Sequence, residues 1–211
     1  MPSNLQLCYI TDRHALGSTT LDDCIPEAIA AGVDLVQIRE KDLATRELMR
    51  LVESAVAAAH GTPARIVVND RLDVALSLGA AGVHLGSQSL PAEVVRRILG
   101  SRARCDFLIG VSCHSLEDAL AAESAGANYI LLGPIFATAS KLRYGPPLGI
   151  AKLADVAQRV KIPVLALGGI TVERVKPCLE AGATGIAGIS IFQTAPSLAE
   201  RARELRAQFV R

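Results

Sequence analysis

The chain has 211 residues, half of them hydrophobic, and 22 basic against 21 acidic side chains leave a net charge of +1. This length buries one sizeable core and makes a single domain over residues 1–211 the default. Balanced charge, no tryptophan and only 3% aromatic residues argue against a nucleic-acid or anionic-membrane surface.

The N-terminal stretch "MPSNLQLCYITD" lacks the basic and then apolar pattern of a signal peptide, and no apolar run reaches the ~18 residues of a membrane helix. Cysteines 8, 24, 105, 113 and 178 form no CxxC pair and read as small buried hydrophobes of a cytoplasmic protein. From "LCYITD" (7–12) onward, eight short apolar runs alternate with amphipathic stretches. The others are "LVQIRE" (35–40), "RIVVND" (65–70), "GVHLG" (82–86), "FLIGVS" (107–112), "YILLGPIF" (129–136), "VLALGG" (164–169) and "GIAGIS" (185–190). Continuous apolar character without alternation marks strands buried on both faces, as in a parallel sheet.

Between the runs, "PAEVVRRILG" places Pro91 in a first helical turn, and Ser115 and Ser197 stand as N-caps of two further helices. Pro177 should kink or shorten the helix that starts at Thr171. "AAGVDLV", "AAGVHL", "SAGANYI" and "EAGATGI" form an internal echo in which Ala-Gly ends a helix before a strand. Eight strands with intervening helices fit a compact (β/α)8 TIM barrel, with an open doubly wound sheet as the alternative.

In a barrel of this kind the working groups lie at the C-terminal strand ends. At the second strand, period two puts Gln37, Arg39 and Lys41 on one side, either as grips for a polyanion or as a solvated rim. At the third, Asn69 and Asp70 offer a polar donor and a hard Mg2+ ligand, or simply cap the next helix. The fourth ends in uncharged Ser87-Gln88-Ser89, and the fifth ends in Ser112, followed by Cys113-His114. His114 is a structural residue or a weak candidate base. After the sixth, a Gly/Pro-bounded loop carries Thr138, Ser140 and Lys141 and reads as an anion-gripping lid or an ordinary surface loop. Exposed N–H groups of Gly169, Ile189 and Ser190 after strands seven and eight would form a phosphate cup.

The ordered series "YITD", "VQIREK", "VVNDRLDVAL", "GVHLG", "GVSCHS", "YILLGPIFATASK", "PPLG", "ALGGIT" and "GIAGIS" resembles the thiamine-phosphate synthase/TenI family over nearly the whole chain. The resemblance implies a (β/α)8 barrel, a homodimer and a Mg2+-dependent transferase. Its substrates would be hydroxymethylpyrimidine diphosphate and a thiazole phosphate (hydroxyethylthiazole phosphate or its carboxylated form), giving thiamine phosphate and pyrophosphate. By this resemblance Gln37, Arg39, Lys41, Asn69, Ser112 and Lys141 would bind the pyrimidine diphosphate. Arg39, Lys41 and Lys141 would neutralise its leaving group. Thr138, Ser140, Gly169, Ile189 and Ser190 would hold the thiazole phosphate, and Asp70 would be the first Mg2+ ligand. The synthases usually carry a second aspartate ligand where this chain has Ser89. A TenI-like thiazole tautomerase is one alternative, although the tautomerase type carries a His at the position of Pro134 and lacks equivalents of Lys41 and Asp70. A non-catalytic thiazole-phosphate-binding paralogue is another.

Overall fold

Each of the eight apolar runs contains a strand in the computed structural model, which describes residues 6–100, 106–138 and 146–209. These are β1 (Leu7–Ile10), β2 (Leu35–Ile38), β3 (Arg65–Asn69), β4 (Gly82–Leu85), β5 (Leu108–Cys113), β6 (Tyr129–Leu132), β7 (Val164–Leu167) and β8 (Gly185–Gly188). All neighbours pair in parallel and β1 also pairs with β8, so the sheet closes into a (β/α)8 barrel rather than an open doubly wound sheet.

The outer layer comprises α1 (Leu21–Ala30), α2 (Thr45–Ala59), α3 (Leu72–Ser77), α4 (Ala92–Leu99), α5 (Leu116–Ser124), α6 (Gly149–Arg159) and α7 (Val172–Glu180). The short α8 (Ser190–Gln193) and α9 (Leu198–Ala207) complete it. The strands bury both faces, which is why they read as unbroken apolar runs. One core lies between strands and helices. A second fills the barrel, where Cys8, Ile10, Leu35, Val67, Leu108, Tyr129, Leu131, Leu165 and Ala187 meet.

Ser115 and Ser197 cap their helices as expected, their hydroxyls accepting from the N–H of Asp118 (3.0 Å) and Glu200 (3.2 Å). Pro91 sits one residue before α4. Pro177 does not cut α7 short: the helix runs through it to Glu180.

The internal echo holds in three of its four members. Gly32, Gly126 and Gly182 end helices at φ +89°, +86° and +92°, a left-handed conformation that suits glycine. After each, a polar side chain (Asp34, Asn128, Thr184) accepts the N–H of Leu7, Ile109 or Val164 on the neighbouring strand. "AAGVHL" is different. There Gly79 takes the left-handed turn at φ +68°, and Gly82 lies inside β4, where a Cβ would meet the Leu108 carbonyl oxygen at 2.2 Å.

At the closing seam, Asp34 also accepts from the N–H of Gln6 (3.0 Å) and pairs with Arg206 of α9 (2.9 Å). The other Arg206 nitrogen donates to the Gln6 side chain at 2.5 Å, and the Gln6 carbonyl receives the Ile186 N–H of β8.

Candidate active site at the barrel mouth

At the C-terminal end of β2 and β3 the side chains form a directed polar chain. The Gln37 amide nitrogen donates to Asn69 Oδ1 (3.0 Å), and Asn69 Nδ2 donates to Asp70 Oδ2 (2.7 Å). The order follows from chemistry: an ionised carboxylate only accepts, so Asn69 must present its nitrogen to Asp70 and its oxygen to Gln37. Gln37 is 2% exposed, and among the described residues its remaining oxygen Oε1 has no partner. A buried acceptor without a partner among the described residues therefore ends the polar chain.

Asp70 has φ 62°, the one positive-φ non-glycine residue among those described. It does not cap α3, whose N-terminus at Arg71 has no side-chain cap. Its other oxygen accepts the Ser89 hydroxyl, and Ser89 Oγ in turn accepts the Gly86 N–H at 2.6 Å. The uncharged 86–89 turn thus folds its serine against the carboxylate. β2 ends at Ile38, so of Gln37, Arg39 and Lys41 only Gln37 lies within the strand. Arg39 is half-buried, Lys41 is exposed in a turn, and Glu40 points back into the protein at 5% exposure.

A further polar pair sits in the barrel. His84 of β4, 1% exposed, lies with Nε2 2.9 Å from Ser112 Oγ and Nδ1 3.2 Å from the Tyr129 hydroxyl. Burial pushes its imidazole down to about 3, with nearby Asp70 opposing and Arg39 adding to the shift, so it is neutral at ordinary pH. His84, Gly110 and Tyr129 share one register across β4, β5 and β6. Gly110 provides the space for both rings: a Cβ there would lie 2.1 Å from Tyr129 Cζ and 2.6 Å from His84 Nδ1. His114, by contrast, is exposed, with Nδ1 held 2.5 Å from the Gly133 carbonyl.

On the opposite rim, Leu167 pairs with Ala187, so Gly169 and Ile189 leave the barrel side by side. Among the described residues neither N–H meets a backbone acceptor. Ser190 opens α8. Gly169 adopts φ +64°, and a Cβ would lie 2.7 Å from the Ala137 carbonyl oxygen. The loop after β6 is zipped to β7 by Ile135 N–H to Leu167 (2.8 Å) and Phe136 N–H to Gly168 (3.0 Å), which brings Thr138 beside this rim. Arg174 of α7 donates to the Gly169 carbonyl (2.7 Å) and stacks 4.6 Å from the Phe136 ring centre. Ser140 and Lys141 lie outside the described residues.

A family model described as thiamine monophosphate synthase matches residues 7–192. The chain belongs to the thiamine-phosphate synthase/TenI family. It is 40% identical to the thiamine-phosphate synthase of Roseiflexus sp., over 98% of this chain and 86% of the other. It is 39% identical to that of Clostridium novyi, over 91% of each. Among solved structures, the thiamine phosphate pyrophosphorylase of Pyrococcus furiosus superposes with a TM-score of 0.87 at 34% identity, covering 98% of this chain and 96% of that one. The chain is thus an enzyme of the transferase type.

In this member of the thiamine-phosphate synthase/TenI family, a bracket between β1 and β2 braces the cationic strand end. The Thr11 hydroxyl donates to Glu40 (2.6 Å) and accepts the Arg39 N–H (2.9 Å), which fixes the backbone carrying Arg39. Arg13 spans Glu40 (3.2 Å) and Asp42, the latter through both nitrogens at 2.6 and 2.7 Å, and His14 also contacts Asp42 (2.9 Å). The Arg13 guanidinium holds the Asp42 carboxyl well below the usual range. A recess of about 640 Å³ between α1 and α2, walled by Leu16, Leu21, Leu43 and Leu51, contains none of the mouth's polar chain. No described helix is long and apolar enough to cross a membrane.

Proposed function

We propose that this enzyme joins hydroxymethylpyrimidine diphosphate to a thiazole phosphate, releasing pyrophosphate and thiamine phosphate with Mg2+ bound. The observation that carries the reading is the directed chain Gln37–Asn69–Asp70, whose free end is a buried acceptor and whose other end is a carboxylate at the mouth. Gln37 Oε1 suits the amino group of an aminopyrimidine, while Arg39, Lys41, Asn69, Ser112 and Lys141 take the diphosphate. The cup of Gly169, Ile189 and Ser190, with Thr138 and Ser140, takes the thiazole phosphate.

The donor set fits Mg2+ of a particular kind. Asp70 supplies one hard carboxylate with the Ser89 hydroxyl beside it, and among the described residues no group of three His, Cys, Asp or Glu is placed to hold a metal ion. Such a site holds the ion only together with diphosphate oxygens and water. When bound, Mg2+ supplies neutralisation of charge on the departing diphosphate. The protein orients two substrates and offers cations to the leaving group, and the aminopyrimidine ring itself stabilises the cationic carbon that the thiazole nitrogen captures. The test is pyrophosphate release from the two substrates across a Mg2+ titration. No release at saturating Mg2+ would refute the reading. Interconversion of thiazole phosphate isomers without the pyrimidine would instead identify a tautomerase, and binding alone a non-catalytic paralogue.

A further inference from the structure

The hydrogen bonds of Tyr129, His84 and Ser112 have only one self-consistent proton order. Tyr129 is fully buried in the barrel, and among the described residues its hydroxyl has His84 Nδ1 as its single partner. A buried phenol whose proton meets no acceptor loses that bond outright, so Tyr129 must donate. His84 Nδ1 is then the acceptor, and the ring proton belongs on Nε2, which donates to Ser112 Oγ at 2.9 Å. The reverse tautomer, or an imidazolium, would aim a ring N–H at the phenol and strand the phenol's proton in an apolar core. With Nε2 already protonated, the Ser112 proton cannot turn inward. Half-buried Ser112, near the top of β5, then has its O–H free for the mouth.

We propose that Tyr129 and His84 are positioning residues that fix the Ser112 hydroxyl as a hydrogen-bond donor to an anionic oxygen of the diphosphate substrate. This rests on the diphosphate reading of the mouth given above. It adds a specificity device to it: a neutral relay, buried beneath the substrate, that sets the polarity of one hydroxyl. The missing side chain of Gly110 is what lets the relay form in register across three strands.

The test uses the full chain with 15N-labelled histidine. The His84 ring is expected to show the neutral form with a protonated Nε2 and a bare Nδ1. A protonated Nδ1, or a cationic ring at neutral pH, overturns the proposal. Tyr129→Phe removes only the donor, and its volume loss is small. It should mix the two tautomers and weaken binding of magnesium pyrophosphate by about tenfold, the scale of one bond to a charged group. Ser112→Ala should weaken it equally, and Tyr129→Phe should add nothing further in that background. Additive losses in the double variant would show that Tyr129 acts other than through Ser112 and would likewise overturn the proposal. If wild type shows the expected tautomer and Ser112-dependent pyrophosphate binding but no turnover, the synthase reading fails while the relay stands.

Discussion

Replacing Ser89 with aspartate puts a second carboxylate where the structure now has a hydroxyl donating to Asp70. Two costs follow in the metal-free protein. The Ser89–Asp70 hydrogen bond is lost, about 1 kcal/mol at a mouth open to water. Two like charges about 4 Å apart then repel by about 1–2 kcal/mol, taking an effective dielectric of about 40–80. The Gly86 N–H, now 2.6 Å from Ser89 Oγ, keeps an acceptor because aspartate can close the same turn. The net loss of about 2–3 kcal/mol lowers the melting temperature by roughly 4–12 °C for a chain of this size. Millimolar Mg2+ should reverse most of it, with a far smaller effect on wild type, and the variant should reach half-maximal turnover at a lower Mg2+ concentration. Thermal melts with and without Mg2+ decide the matter independently of activity. A Ser89→Asp variant that melts like wild type, or whose deficit ignores Mg2+, would mean that position 89 does not face Asp70.

Asp70→Asn should leave stability within about 0.5 kcal/mol, since asparagine tolerates the left-handed φ of 62°. Turnover should fall at least a hundredfold, read by pyrophosphate release. Gly169→Ala forces a Cβ against the Ala137 carbonyl at a positive φ. A loss of about 1–3 kcal/mol in denaturant melts and weaker thiazole phosphate binding by calorimetry are expected. His84 titrates at about 3 when folded and near its ordinary value of 6.5 when unfolded. The unfolded chain therefore takes up the proton first, so the contribution of a neutral His84 is complete above pH 6.5 and is lost as pH falls toward 3. Between pH 6.5 and 4.5 this amounts to about 2–3 kcal/mol. His84→Gln should flatten that slope in urea titrations, and an unchanged slope would place the titrating group elsewhere.

The sequence is informative where a residue's environment follows from its own neighbours. Strand runs buried on both faces stand out, and Ser115 and Ser197 announce helix starts without reference to the rest of the chain. Asn69 and Asp70 are visible as a polar pair, but the hydrogen-bond order that runs from Gln37 through Asn69 to Asp70 needs β2 and β3 set side by side. His84 stays hidden for a similar reason. Inside an apolar run it looks like any strand residue, and its meaning depends on Gly110 and Tyr129, which only the register aligns. The partners of Glu40, Thr11 and Arg13, come from the segment after β1 and are not signalled by its own neighbours in the chain. "AAGVHL" copies the letters of the echo but not its geometry, since the turn there has moved back to Gly79.

The seam between β1 and β8 has a kinetic consequence. Gln6 and Arg206, which meet there, are two hundred residues apart in the chain. Contacts of such span close late, after most of the loop entropy has been spent. The clamp of Asp34, Gln6 and Arg206 is therefore expected to close late in folding and to resist opening. Arg206→Ala should speed unfolding while leaving the folding rate nearly unchanged. The ion pair at the floor of the barrel is thus a latch on its lifetime.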